Sequence, residues 1–137
     1  MSFDPYLMYA RNCGEAFTRY QQIFGGELFV MRMSDAPGNE QVPADQADLV
    51  IHAALTIDGR VLMGSDDPTG GTTGTAERVH VYHQAPDIPT AEKVYAALAE
   101  GGEEVQPLME TFFSPKWGMC TDKFGIRWMI GVPGPQQ

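Results

Sequence analysis

The sequence predicts an α+β fold: two βαβββ modules related by internal duplication, with curled mixed sheets forming a cleft and the helices on the outer face. Three observations carry this. Element signals recur in the same order in both halves, β-α-β-β-β followed by β-α-β-β-β. Each half holds one stretch with helical apolar spacing among short apolar or alternating runs. Both helical stretches stop at the same tripeptide: Gly25-Gly26-Glu27 recurs as Gly101-Gly102-Glu103, 76 positions later.

In the first half, Pro5 to Ala10 is apolar and aromatic and fits a short buried strand. Asn12 offers a helix N-cap with Glu15 in capping-box spacing. Cys13, Ala16, Phe17, Tyr20, Ile23 and Phe24 then form one apolar stripe. Gly25-Gly26 ends the helix, and Glu27 to Met33 reads as a strand. Ser34 to Asp48 is a polar loop. Leu49 to Ile57 is a strand, turned by Asp58-Gly59 into a hairpin with Arg60 to Ser65.

The second half begins with Glu77 to His83, in which Val79 and Val81 alternate with His80 and Tyr82. A helix starts near Pro89 or Thr90 with the stripe Ala91, Val94, Tyr95, Leu98. Strands follow near Val105 to Phe113, Trp117 to Asp122 and Ile126 to Val132. Asp122 to Gly125 is a tight turn, because Gly125 can take positive φ without steric cost. Beyond it, Trp128 and Ile130 share one face, while Arg127 and Met129 share the other. The expected boundaries are a first module over 1–66, a Gly/Thr-rich linker over 67–76, a second module over 77–133 and a mobile tail over 134–137, together one compact domain.

A chain of 137 residues with 43% hydrophobic and 20% charged residues has ordinary globular composition. Its net charge of −9 repels phosphate backbones and anionic lipid, so neither nucleic acid nor membrane is an expected partner. No apolar run approaches the roughly 18 residues that span a bilayer, and Met1 to Pro5 shows no signal-peptide pattern. The two cysteines, Cys13 and Cys120, form no CxxC pair and read as free thiols of a cytoplasmic protein.

Several segments resemble the vicinal-oxygen-chelate (glyoxalase / bleomycin-resistance / extradiol dioxygenase) superfamily, and within it the PhnB-like branch, often labelled after 3-demethylubiquinone 3-methyltransferase. They are Pro5 to Ala10 with Asn12-Cys13, Tyr20 through Gly25-Gly26-Glu27-Leu28, His52-Ala53, Leu62-Met63-Gly64-Ser65-Asp66, Glu110-Thr111-Phe112, and Thr121 to Gly125 with Trp128-Met129-Ile130. The resemblance implies paired βαβββ modules, a homodimer and a cavity lined by concave sheet faces. Metal-dependent members place His or Glu ligands on the concave strands. The matching positions here fall near Pro5 or Leu7, near Met63, near Arg78 or His80, and at Met129. A thioether or alkyl chain cannot replace carboxylate or imidazole around such an ion. No metal or other cofactor is therefore expected, with His52, His80 and Asp66 as the residual candidates for an irregular 2-His-1-carboxylate site.

Tyr9, His52, Met63, Asp66, His80, Tyr82, Trp117, Cys120 and Met129 are the ligand-cavity candidates. Aromatic and Met side chains at inward positions, with Met31 or Met33 and Phe113 in addition, suit a soft pocket for a flat or aromatic molecule. They also suit a core or a dimer interface. Asp66-Asp67 reads as a turn before Pro68, or as a base. Cys120 has Lys123 and Arg127 near in sequence, which could lower a thiol pKa; an inert strand cysteine is the plainer reading. Gly70 to Thr75 lacks the Gly-Lys-Ser/Thr ending and following helix of a phosphate loop, so it reads as linker. The expected function is metal-independent binding of a small, largely apolar or aromatic molecule. The alternative is a lyase- or dioxygenase-type enzyme with an atypical His-containing metal site. No glycine-rich turn follows the first strand, so a methyltransferase is not expected.

Overall fold

In a computed structural model, residues 1–36, 43–69 and 78–134 are described. Most of the expected linker (70–76) and the end of the tail (135–137) lie outside them, as does the phosphate-loop reading of Gly70 to Thr75. The chain divides into two compact units, Met1–Thr73 and Gly74–Gln137. Each is one βαβββ module with a four-stranded mixed sheet.

The first module contains β1 (Tyr6–Tyr9), α1 (Cys13–Phe24), β2 (Glu27–Arg32), β3 (Val50–Ile57) and β4 (Arg60–Asp66). Its sheet order is β1-β4-β3-β2, with β1 parallel to β4 and the other pairs antiparallel. The expected α1 stripe is buried at Cys13, Ala16, Phe17 and Tyr20. Phe17 lies over Gly64 of β4, where an added Cβ would come within 2.8 Å of its ring. Tyr9 meets Phe17 edge-on at 6.0 Å, and its hydroxyl donates to that of Tyr20 at 3.0 Å. Each fully buried ring of this kind contributes about 1.5–3 kcal/mol.

The start of α1 differs from the sequence expectation. Asn12 makes no side-chain capping hydrogen bond. The first helical amide, Cys13 N–H, donates instead to Asp66 Oδ1 at 2.8 Å, and Val50 N–H donates to Asp66 Oδ2 at 2.9 Å. One buried carboxylate at the end of β4 thus ties the first turn of α1 to the first residue of β3. A negative charge there also suits the positive end of the helix dipole.

The second module contains β5 (Val81–Gln84), α2 (Ile88–Ala99), β6 (Glu103–Met109), β7 (Trp117–Thr121) and β8 (Arg127–Gly131), in sheet order β5-β8-β7-β6. The α2 stripe is buried as expected at Ala91, Val94, Tyr95 and Leu98. Asp87 caps α2 locally, accepting from Thr90 N–H at 2.8 Å. The first strand begins later than expected: Arg78 to His80 lie outside β5, and Val79 is exposed rather than part of a buried alternation.

The turn from β7 to β8 is built on buried Asp122. Its Oδ1 accepts from Phe124 N–H and Ile126 N–H, and its Oδ2 accepts from the Trp128 indole N–H at 2.9 Å. Gly125 adopts φ 92°, as the turn requires. Trp128 and Ile130 are buried, while Arg127 and Met129 alternate with them and are half-buried.

The repeated Gly-Gly-Glu has a structural cause. Glu27 pairs with Thr56 and Glu103 with Thr121, so each Glu opens an edge strand against the end of its middle strand. A Cβ on Gly26 would run into the carbonyl of Thr56, and a Cβ on Gly102 into the carbonyl of Thr121. The helix-to-strand passage in both modules is too tight for any side chain.

Candidate functional site

Each helix covers one face of its sheet; the other is called here the far face. In the first module strand alternation places Tyr6, Met8, Phe29, His52 and Met63 on the far face. Tyr6, Met8 and Phe29 remain exposed, unusual for large apolar side chains in register on one sheet. The Tyr6 hydroxyl and His52 Nδ1 share a hydrogen bond of 3.2 Å, and the Phe29 and His52 rings lie 6.4 Å apart. Ser65 donates to the Met8 sulfur at 3.4 Å.

In the second module the far face carries Tyr82, Trp117, Met119, Arg127 and Met129. Tyr82 and Trp117 converge over Gly131, where an added Cβ would lie 2.7 Å from the Tyr82 hydroxyl and 3.2 Å from the Trp117 ring. Phe113 meets Trp117 edge-on at 5.6 Å. The two far faces share one feature that neither composition nor motif revealed. Tyr6 stands opposite Met63 on the parallel pair β1/β4, and Tyr82 stands opposite Met129 on the parallel pair β5/β8. The same two residue types occupy the same place in both sheets.

Of the sequence candidates, His52 and Met63 lie on the first far face, and Tyr82, Trp117 and Met129 on the second. Three others do not reach a far face. Tyr9 points at α1 and is buried against Phe17 and Tyr20, because β1 is apolar on both faces and its alternation could be read either way. Asp66 also faces the helix, with both oxygens accepting backbone amides, which excludes it as a free base. Cys120 pairs with Trp128 on the buried face. Burial, reinforced by Asp122 and Glu104, pushes its thiol up to about 12, the reverse of activation by Lys123 or Arg127. Cys13 is likewise raised to about 12 by burial and by Asp66. His80 sits just before β5, half-buried. Sequence reasoning passed over Tyr6, Met8, Phe29 and Arg127. For Arg127 the signal was present in its parity with Met129.

The family model of the Glyoxalase/Bleomycin resistance protein/Dioxygenase superfamily matches residues 2–130. The chain belongs to that superfamily. It is similar to the crystal structure of protein PA1353 from Pseudomonas aeruginosa, with 35% identity, a TM-score of 0.85, and coverage of 97% of this chain and 98% of that one. It is also similar to protein YjdN of Escherichia coli, 29% identical over 96% of this chain and 95% of the relative. The PhnB protein from Bacillus cereus shares the fold, with 24% identity, a TM-score of 0.78, and coverage of 96% and 99%.

Metal-dependent chemistry is implied for part of such a superfamily and requires a set of carboxylate or imidazole donors. The far faces offer mainly thioethers, phenols, one imidazole and a guanidinium, with carboxylates only at Glu27 and Glu103, where the edge strands begin. Within each unit, among the described residues, no three His, Cys, Asp or Glu side chains come together to hold an ion. His52 and Asp66 lie on opposite faces of the first sheet and cannot grip one ion together. Within each unit, the described side chains on these faces do not fit a resident divalent metal.

Proposed function

We propose that this protein, as a PhnB-like glyoxalase-fold protein, binds a small, largely apolar or aromatic molecule against the far faces of its sheets. In this reading it does so without a resident metal, as a cytoplasmic homodimer. The observation that carries the reading is the repeated Tyr–Met pair, Tyr6/Met63 and Tyr82/Met129, on the parallel edge pair of two faces that leave large apolar side chains exposed. A polarizable thioether beside a phenol ring is adaptable, apolar and weakly polar at one end, which suits a flat ligand. Two buried free thiols accord with a reducing compartment. The PhnB-like placement rests on the motifs along the chain and on the shared fold of the Bacillus cereus protein. A methyl-donor site receives no support: neither sheet has the doubly wound order, and β1 passes to α1 through Ala10-Arg11-Asn12, without glycine.

The test is thermal unfolding against a panel of planar aromatic compounds, with metal analysis of protein purified without chelators. A saturable rise in Tm that is lost in Tyr82→Ala and Met129→Ala, with no stoichiometric metal, is the expected result. A stoichiometric metal lost on His52→Ala would replace this reading with the enzymatic one. A monomer by light scattering would remove the dimer from it.

A further inference from the structure

We infer that Arg127 gives the second far face a preference for ligands that carry a carboxylate, so that the bound molecule is an aromatic or similarly apolar acid. This rests on the reading above and names the ligand class within it. The chain has 18 acidic and 9 basic residues, so an arginine should readily find a carboxylate. Arg127 finds none. Its Nε is sealed from solvent and makes no hydrogen bond, the sole buried side-chain N or O atom of this kind among the described residues. The acidic residue in its own cross-strand row, Glu103, is separated from it by Thr121. Asp122 is committed to the turn and to Trp128.

An arginine donor buried without an acceptor is costly, and the cost is relieved when an acceptor arrives. The guanidinium fork matches a planar carboxylate through two parallel N–H···O bonds, which an ammonium cannot reproduce. Arg127 stands on the same far face as Met129, two residues further along β8, and Met129 lies opposite both Tyr82 and Met119. An acid whose ring lies on Tyr82 and Met129 would therefore present its carboxylate to Arg127. Contact with Nε requires the side chains that bury it to yield. The corresponding position in the first sheet is Val61, opposite Thr56 as Arg127 is opposite Thr121. The cation belongs to one far face alone of the two.

The experiment compares naphthoate with naphthalenemethanol of the same ring position, by calorimetric titration of the full chain at low and high salt. Naphthoate should bind the wild type about tenfold more tightly than the neutral alcohol, as a charge-assisted pair implies. The preference should shrink with salt. Arg127→Gln should abolish it, weakening naphthoate far more than the alcohol, and Arg127→Lys should restore it only in part. Circular dichroism and melting of both variants establish that they fold. If the alcohol binds as well as naphthoate, or if Arg127→Gln keeps the preference, the inference is overturned and the far-face reading stands. If neither compound binds, both fall.

Discussion

The two modules repeat one plan and differ in how they close it. Both carry an amphipathic helix, a glycine pair that lets the chain pass the end of the middle strand, and a Tyr–Met pair on the far face. In the first, the helix start is held by Asp66, a carboxylate 53 residues downstream of the amide it accepts. In the second it is held by Asp87, three residues before its partner Thr90. The same requirement, satisfaction of an orphan helix amide, is met by tertiary structure in one module and by local sequence in the other. The lesson is that duplication conserves the steric necessities of a fold more faithfully than its hydrogen-bonded joints.

Breaking the joints should therefore affect the modules unequally. The largest loss is expected for Asp66→Ala, which orphans two backbone amides at a buried site and should cost about 2–4 kcal/mol in urea unfolding. Asp122→Ala belongs in the same range, because it frees two turn amides and the buried indole N–H. Its counterpart Asp58→Gly should be close to neutral, since Asp58 already adopts φ 52° at an exposed turn. An equal cost at Asp58 and Asp122 would show that the two turns are not distinguished by Trp128.

The shared glycines should behave alike. Gly26→Ala and Gly102→Ala each drive a methyl group into a backbone carbonyl and should each cost about 1–3 kcal/mol. Gly26 carries the added penalty of φ 90°. If Gly102→Ala unfolds at the wild-type denaturant concentration, the tripeptide repeat has no structural meaning.

A smaller effect is expected for Asp87→Ala, because the cap is fully exposed. The hydrogen bonds from Thr90 hold the Asp87 carboxyl below its ordinary range. Its contribution is thus present above the ordinary carboxylate pKa and is lost as pH falls through the lowered one. The Tm difference between wild type and Asp87→Ala should vanish in acid; a difference that grows there would reverse the sign. The smallest difference should lie between the cysteines. Both thiols are raised to about 12, so at pH near 8 neither should react with a thiol reagent before unfolding. Fast labelling of Cys120 alone would restore its nucleophilic reading.

Much of the fold was legible because its constraints are local. The α2 stripe, the Asp58-Gly59 hairpin and the split of Trp128/Ile130 from Arg127/Met129 all follow from spacing within a few residues. β1 was ambiguous because Tyr6, Leu7, Met8 and Tyr9 are apolar on both faces, so no polar residue marked which side met the helix. The sequence alone therefore points to Tyr9 as the inward residue, whereas in the structure it is Tyr6 that stands on the far face. Asp66 reads as a turn or a base in sequence because nothing near it discloses that Cys13 and Val50 bring their amides to it. The face of Arg127 follows from its parity with Met129, but that it has no ion-pair partner among the described residues shows only in three dimensions.

Trp117 and Trp128 occupy opposite sides of one sheet, the first beside Tyr82 and Phe113, the second hydrogen-bonded to Asp122. The protein thereby contains two optical probes with separate subjects. Emission from Trp128 follows the integrity of the closing turn, while quenching at Trp117 follows occupancy of the surface beside it. Replacing either indole with phenylalanine separates the two signals, so that folding and ligation can be followed by light alone in one cuvette.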